Sequence, residues 1–355
     1  MSALDAAMAV LLVVLLMAAS VLAGALVVRR GRPHRDSRLL DPQGYLTPET
    51  LAAMERNLTG RLLGRYVLEG VLSTGGFGAI YRAIDLHRET RVCLKMPRLD
   101  RIQQEVQGGS SFGTFIMEAK LRAKLQGDHH IQIYDRGFLL VLLPGFQVKV
   151  PFYSMELFPG RNLGEIIREQ GKLPLEWVHQ IFLGVLQALK EAHLEGVIHH
   201  DLKPANILVE LAPARRASDR GRPDRVLRVK LIDFGLAGKP GSGGTEPVRG
   251  TLGYIAPELF NGATPGPETD VFSLGVIFLE AMTGGRCQEA GDGRDGSSDW
   301  VSWVRGGREL AVPAAVPAPE RDLVKRMVAR DPRCRPTTNE LLLRIRDRLH
   351  RSPGQ

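Results

Sequence analysis

The segment HHDLKPAN, His199 to Asn206, is followed downstream by Asp233-Phe234-Gly235 and then by GTLGYIAPE, Gly250 to Glu258. This ordered set constrains the chain more than any other feature, because any fold that uses it must bring Asp201, Lys203, Asn206 and Asp233 back to one place. A single HxD triplet would carry little information. The three segments in this order are very improbable by chance.

Residues of these types suit phosphoryl transfer from a metal-bound nucleotide, where little covalent chemistry is asked of the protein and most of the work is positioning and cancelling charge on phosphate oxygens. A carboxylate must receive or orient the attacking hydroxyl, and oxygen donors must hold magnesium against the phosphates. Asp201 fits the first role and Asn206 and Asp233 the second. Lys203, two residues beyond Asp201, can reach the transferred phosphate.

From about Arg65 to Leu349 the chain resembles a eukaryotic-type (Hanks-type) serine/threonine protein kinase domain. The resemblance implies an α+β, two-lobed protein kinase fold: a small antiparallel sheet plus helix lobe, then a larger, mainly helical lobe. Leu72-Ser73-Thr74-Gly75-Gly76-Phe77-Gly78-Ala79-Ile80-Tyr81 is similar to that family's glycine-rich phosphate loop, where glycine lets backbone amides approach the nucleotide. Val92-Cys93-Leu94-Lys95 is similar to its V-A-I-K strand and makes Lys95 the candidate contact to the α- and β-phosphates. Glu118, in the helical run Phe115 to Leu125, sits where the family places the carboxylate that orients this lysine. Tyr153 to Gly160 resembles the hinge, with Met155 as gatekeeper and the backbone of Glu156 and Phe158 facing adenine. Leu72, Ile80, Cys93 and Leu208 are the implied apolar walls. The implied cofactors are ATP and Mg2+, with Mn2+ as an alternative.

Plainer readings stand beside these. Lys95 alone would read as a solvated strand-edge charge, and Glu118 as an exposed glutamate pairing with Arg122 at i+4. Asp201 and Asp233 could cap turns, but that explains neither Asn206 nor the later segments. His193 and His199 read as packing or hydrogen-bonding residues, and no His or Cys cluster has zinc-like spacing. By resemblance, Glu258 and Arg335 form a buried salt bridge and Asp270 braces the catalytic loop. These are structural roles.

Lys203 in DLKPAN and Thr251 in GTLGY resemble serine/threonine rather than tyrosine kinases, so protein substrates with Ser/Thr acceptors are expected, with self-association for autophosphorylation among the partnerships. Two departures stand out. Ser73 replaces the first loop glycine, and His200 replaces the arginine that usually grips a phosphorylated activation loop; a largely neutral histidine grips a dianion poorly. Activity is therefore expected to depend little on activation-loop phosphorylation, although Ser242 and Thr245 lie in a suitable glycine-rich segment. The alternatives are a nucleotide-binding pseudokinase scaffold, supported by Ser73 and His200, and a kinase-like small-molecule phosphotransferase.

The second strong signal is an uncharged apolar run from Ala6 to Val28. As a helix it reaches roughly 34 Å, enough to cross a hydrocarbon core of about 30 Å. A signal peptide is the rival, with small residues at Ala23-Gly24-Ala25, but the run is long for one. Asp5 precedes it and Arg29, Arg30, Arg32, Arg35 and Arg38 follow, so the positive-inside tendency keeps the catalytic part cytoplasmic, in a single-pass membrane protein. Few residues would face outward, and signals would come from partners, lipids or the cytosol.

The net charge of +8 suggests nucleic acid until it is located. Arg29 to Arg38 carries five arginines and one aspartate, and Leu211 to Lys230 seven basic and two acidic residues, so these two segments hold +4 and +5 and the rest is near neutral. The first reads as a topology signal attracting anionic lipid. The second reads as a mobile inserted loop between two strands, with docking of an acidic partner as the sharper alternative. No nucleic acid is expected. Cys93, Cys287 and Cys334 suggest reduced thiols.

The resulting division is an anchor at 1–28, a basic juxtamembrane linker at 29–63 with a short helix Pro48 to Asn57, an N-lobe and hinge at 64–158, and a C-lobe at 159–350 with a basic insertion at about 211–228. Tyr66 to Leu72, Ala79 to Ile84 and Arg91 to Met96 read as strands. Trp177, Val178, Ile181, Phe182, Val185, Leu186 and Leu189 recur at helical spacing as a core stripe. The arginine-rich, lysine-poor composition favours the bacterial eukaryotic-like type.

Overall fold

The computed structural model describes residues 62–75, 78–98, 112–143, 146–212, 225–234, 250–285 and 309–351. The Ala6 to Val28 run, the linker up to residue 61 with its expected helix, Gly76, Phe77, Ser242, Thr245 and Cys287 lie outside them. Among the described residues no helix is long and apolar enough to cross a membrane.

Period-two alternation builds the first layer. Strand β3 (Ala79–Asp85) buries Ala79, Tyr81, Ala83 and Asp85 in alternation, as a half-buried strand must when one face meets the core. It lies between β2 (Tyr66–Thr74) and β4 (Thr90–Met96). With β1 (Leu62–Leu63), β5 (Ile133–Leu143) and β6 (Phe146–Glu156) they form a six-stranded antiparallel sheet in the order β1-β2-β3-β4-β6-β5. The sheet thus begins two residues inside the segment read as linker, since Leu62 and Leu63 pair with Val67 and Tyr66. Helix α1 (Gly113–Arg122) packs on it through Phe115 and Ala119, which share a buried cluster with Tyr153 and Met155 of β6.

Helices dominate the rest. Asn162 caps α2 (Leu163–Gln170), its side chain accepting from the Glu165 N–H at 2.9 Å, as N-cap side chains do. Helix α3 (Leu175–Leu194) buries the whole expected stripe from Trp177 to Leu189. Helix α4 (Pro267–Thr283) opens on proline and is buried continuously from Thr269 to Met282. A helix buried on every face belongs at the centre of a core, and α3, α4, α5 (Ala318–Met327) and α6 (Thr338–Arg351) contribute to one large hydrophobic cluster. Gly284 ends α4 at φ +78°, and a Cβ there would stand 2.4 Å from the Lys172 nitrogen, so both backbone angle and space require glycine.

The expected basic insertion is shorter than the sequence suggested. Strand β8 (Ile207–Ala212) pairs with β9 (Arg225–Leu231), with Leu211 opposite Val226 and Ala212 opposite Arg225. Leu211 and Val226 pack against the core, and Arg228 Nε donates to Glu210 Oε2 at 2.5 Å, so cross-strand pairing absorbs charges that look like loop charges in the sequence. β7 (Arg161–Asn162) completes this second sheet. Only 213–224 of the insertion lies outside the described residues.

Candidate phosphoryl-transfer site

Lys95 and Glu118 come from β4 and α1, and the fold buries both. Lys95 Nζ donates to Glu118 Oε1 at 2.7 Å. Tyr153 on β6 donates its hydroxyl to the same oxygen at 2.7 Å, and Arg122 Nη2 stands 2.9 Å from it. The exposed i,i+4 pair is therefore half right: Arg122 does meet Glu118, but inside the protein and beside Lys95. Burial, with the Arg122 charge, pulls Lys95 below the ordinary lysine value, against Glu118 and Asp233. Burial alone would raise Glu118, but Arg122 and Lys95 outweigh it and hold the carboxyl below its usual range.

The second group sits on the loop between α3 and β8. Asp201 Oδ2 accepts from Lys203 Nζ at 2.7 Å, Thr251 donates its hydroxyl to Asp201 Oδ1 at 2.7 Å, and Lys203 Nζ also donates to Thr251 Oγ1 at 2.9 Å. This closed triangle fixes the carboxylate while each oxygen keeps acceptor capacity for a substrate hydroxyl. Asn206 Nδ2 donates to the Asp201 carbonyl at 2.8 Å, which leaves Asn206 Oδ1 as the ligating end.

Asp270 holds the loop from below. Its carboxylate accepts from the His199 and His200 amides at 3.0 and 3.1 Å, and His193 Nε2 lies 2.8 Å from it. Burial alone would raise Asp270, but His193 and His199 hold it low. His199 Nε2 is 2.9 Å from the Ile232 carbonyl, which joins the loop to β9 and Asp233. His200 and Asp233 both have positive φ, +67° and +68°, a region sparsely used by residues with a Cβ and concentrated where structure over-determines a site. Glu258 and Arg335 form the expected pair, with Arg335 Nη1 and Nη2 donating to the two carboxylate oxygens at 2.6 and 2.7 Å.

Asp233 completes the polar set. Its Oδ1 accepts from Arg122 Nη2 at 3.0 Å, and its side chain stays about half exposed at 46%. Burial would raise its carboxyl, yet Arg122 and Lys95 hold it below the ordinary value. Asn206 Oδ1 and the Asp233 carboxylate make an all-oxygen donor pair. Among the described residues no cluster of three or more His, Cys, Asp or Glu could hold a metal unaided. Two protein oxygens supplemented by phosphates and water is the pattern magnesium favours, so the residues fit the ion.

The expected nucleotide walls come together in part. Cys93 pairs with Met155 across β4 and β6, and both share one apolar cluster with Ile80 and Leu208. Leu72 is exposed on β2, outside that cluster. Ser73 faces Ile80 across the β2–β3 hairpin beside a register shift, and the Gly75 N–H donates to the Gly78 carbonyl at 2.9 Å. A Cβ on Gly78 would lie 2.7 Å from the Met96 carbonyl, so this turn can approach β4 only with glycine. At the hinge the Glu156 N–H is taken by the Gln132 carbonyl and its carboxylate by Lys230 at 2.7 Å. Glu156 thus offers a purine no main-chain donor. The Phe158 ring is buried in the same apolar cluster as Cys93 and Met155, with the Arg228 guanidinium 5.0 Å from its centre.

Sequence reasoning did not assign Tyr153 or the Asp233 contact of Arg122. No local pattern singles Tyr153 out, because Phe152, Tyr153 and Ser154 are all buried and only strand pairing sets it opposite Lys95.

Residues 66–344 match the family model described as the protein kinase domain. The serine/threonine-protein kinase PknL of Mycobacterium tuberculosis is 32% identical over 224 residues, 62% of this chain and 49% of that protein. A probable serine/threonine-protein kinase PknB of Bifidobacterium longum is 32% identical over 227 residues, 62% of this chain and 30% of that protein. PknA of M. tuberculosis is 32% identical over 236 residues, 65% and 49% of the two chains. The matched region spans about half the length of PknL and PknA.

Proposed function

The chain belongs to the protein kinase domain family, and on that premise we propose that it transfers the γ-phosphoryl group of Mg-ATP to serine or threonine hydroxyls of protein substrates. The observation that carries this reading is the buried Lys95–Glu118 pair at 2.7 Å, joined through Arg122 to Asp233. It links β4, α1 and the segment after β9 into one charged network. The three relatives named above are serine/threonine-protein kinases, the PknB one a probable one, which supports the acceptor type.

In this mechanism Lys95, held by Glu118, which Tyr153 fixes in turn, would donate to phosphate oxygens. Asn206 and Asp233 offer oxygens to a divalent cation, which when bound offsets charge on the phosphates. Asp201 accepts the hydrogen of the attacking hydroxyl and orients it, while Lys203 and Thr251 hold the carboxylate in place. Lys203 is also placed to meet charge developing on the transferred group. Ile80, Cys93, Met155 and Leu208 give the adenine ring an apolar seat.

Anchoring through Ala6 to Val28, with the catalytic part in the cytoplasm, is part of this proposal and rests on the sequence alone. So do self-association and a lipid-facing role for Arg29 to Arg38. The test is incubation of the full chain in detergent micelles with labelled ATP, Mg2+ and a mixture of protein acceptors, followed by phosphoamino-acid analysis. Label in phosphoserine or phosphothreonine, lost in Asp201→Asn, is expected. Binding of nucleotide without transfer, or transfer only to small alcohols, would overturn it.

A further inference from the structure

Arg122 closes α1 one helical turn beyond Glu118. An i,i+4 pair of this kind usually lies on a solvated face and contributes little. Here both partners are buried, and the pair is not closed on itself. The same nitrogen, Nη2, is 2.9 Å from Glu118 Oε1 and 3.0 Å from Asp233 Oδ1, a residue 111 positions away. Lys95 and Arg122 against Glu118 and Asp233 make two positive and two negative charges, a balanced set before any ion enters.

The consequence concerns Asp233. A guanidinium already shares the carboxylate that the proposed function assigns to a divalent cation, so the two positive charges compete for it. The hold is partial. It runs through one nitrogen rather than a two-pronged fork, and the buried Arg122 Nε has no hydrogen-bond partner among the described residues, so no described contact locks the guanidinium by that edge. Half of the Asp233 side chain remains open to solvent.

We propose that Arg122 is a positioning residue that acts as an internal counter-ion for Asp233: it ties α1 to this carboxylate and raises the cation concentration the site requires. The inference rests on the phosphotransfer reading of the site. A purely structural arginine would act in the opposite direction, because its loss would loosen Asp233 and weaken the cation.

The sign decides between them. Binding of Mn2+ to the full chain saturated with a non-hydrolysable ATP analogue is followed by the electron paramagnetic resonance of free Mn2+, against the analogue alone. Arg122→Met, which keeps length and removes charge, is expected to bind Mn2+ about tenfold more tightly than the unaltered chain, and Arg122→Lys to stay near it. The Mg2+ dependence of transfer should shift the same way. Equal or weaker Mn2+ binding by Arg122→Met overturns the inference; if that variant lacks a cooperative melt, Arg122→Gln is held to the same comparison. Absence of any Mn2+–nucleotide binding by the unaltered chain would instead sink the phosphotransfer reading beneath it.

Discussion

The hydroxyl of Tyr153 donates to Glu118 Oε1 at 2.7 Å, the same oxygen that receives Lys95. The strand that carries Met155 therefore helps hold the carboxylate that meets Lys95, the proposed phosphate contact. Burial raises the tyrosine far above its ordinary value, so it stays a donor across the working pH range.

Tyr153→Phe removes one of three donors to a buried carboxylate. A hydrogen bond to a charged group is worth about 2 kcal/mol, so denaturant unfolding should show a loss of that size. The KM for ATP should rise more than kcat falls. Unchanged stability together with an unchanged KM would mean that Lys95 and Arg122 satisfy Glu118 without help.

Arg335→Leu leaves the Glu258 carboxylate without its guanidinium in a site where the arginine side chain is fully covered. Breaking a buried pair from one side costs about 3 to 5 kcal/mol. Thermal melting should fall steeply, and Glu258→Gln in the same background should recover part of the loss by removing the stranded charge. No recovery would point to the Arg335 contacts with the Ala329 and Glu268 carbonyls as the dominant ones.

His130 is buried, and burial pushes its imidazole down to about 4. The half-exposed Glu191 carboxylate stands 3.3 Å from Nε2 and does not offset this. The folded value lies below the unfolded one of about 6.5, so the unfolded chain binds more protons between them. Stability is full above pH 6.5 and is lost as pH falls toward 4. The contribution is about 2 kcal/mol between pH 7.5 and 5. His179 and His199, also lowered by burial, add to the same slope. Glu118, Asp233 and Asp270 are held low and titrate at more acid pH. Unfolding free energies measured at pH 7.5, 6 and 5 should show a shallower fall in His130→Gln. An identical fall would remove His130 from this role.

Cys93 lies among the residues proposed as the nucleotide wall, and burial pushes its thiol up to about 11. At pH 8 only about one thiol in a thousand is then ionised. In a Cys287→Ser, Cys334→Ser background, iodoacetamide at pH 8 should leave Cys93 unmodified for hours in the folded chain and label it in urea. Rapid labelling of the folded chain would show the wall to be open.

The motif residues were legible because their roles are written locally: DLKPAN fixes Asp201, Lys203 and Asn206 within six positions, and the glycines announce a tight turn. Strands β2 to β4 followed from short strand-like runs and the α3 stripe from helical spacing. What was hidden needed three-dimensional return of the chain. Arg122 next to Glu118 reads as a surface pair, and only the fold brings Asp233 to the same nitrogen. Arg225 and Arg228 read as loop charges because their strand partners Ala212 and Glu210 lie across a basic connection. The exposure of Leu72 was hidden too, since an apolar residue before a glycine turn does not say which face it takes.

Single-turnover transfer by the full chain, with Mg-ATP and a protein acceptor, compared between the unaltered protein and Asp201→Asn, addresses the proposed chemistry most directly. The expected result is a fall of about 10^2- to 10^4-fold in the transfer rate with nucleotide affinity retained. Near-normal transfer in Asp201→Asn would contradict the role given to this carboxylate and the mechanism built around it.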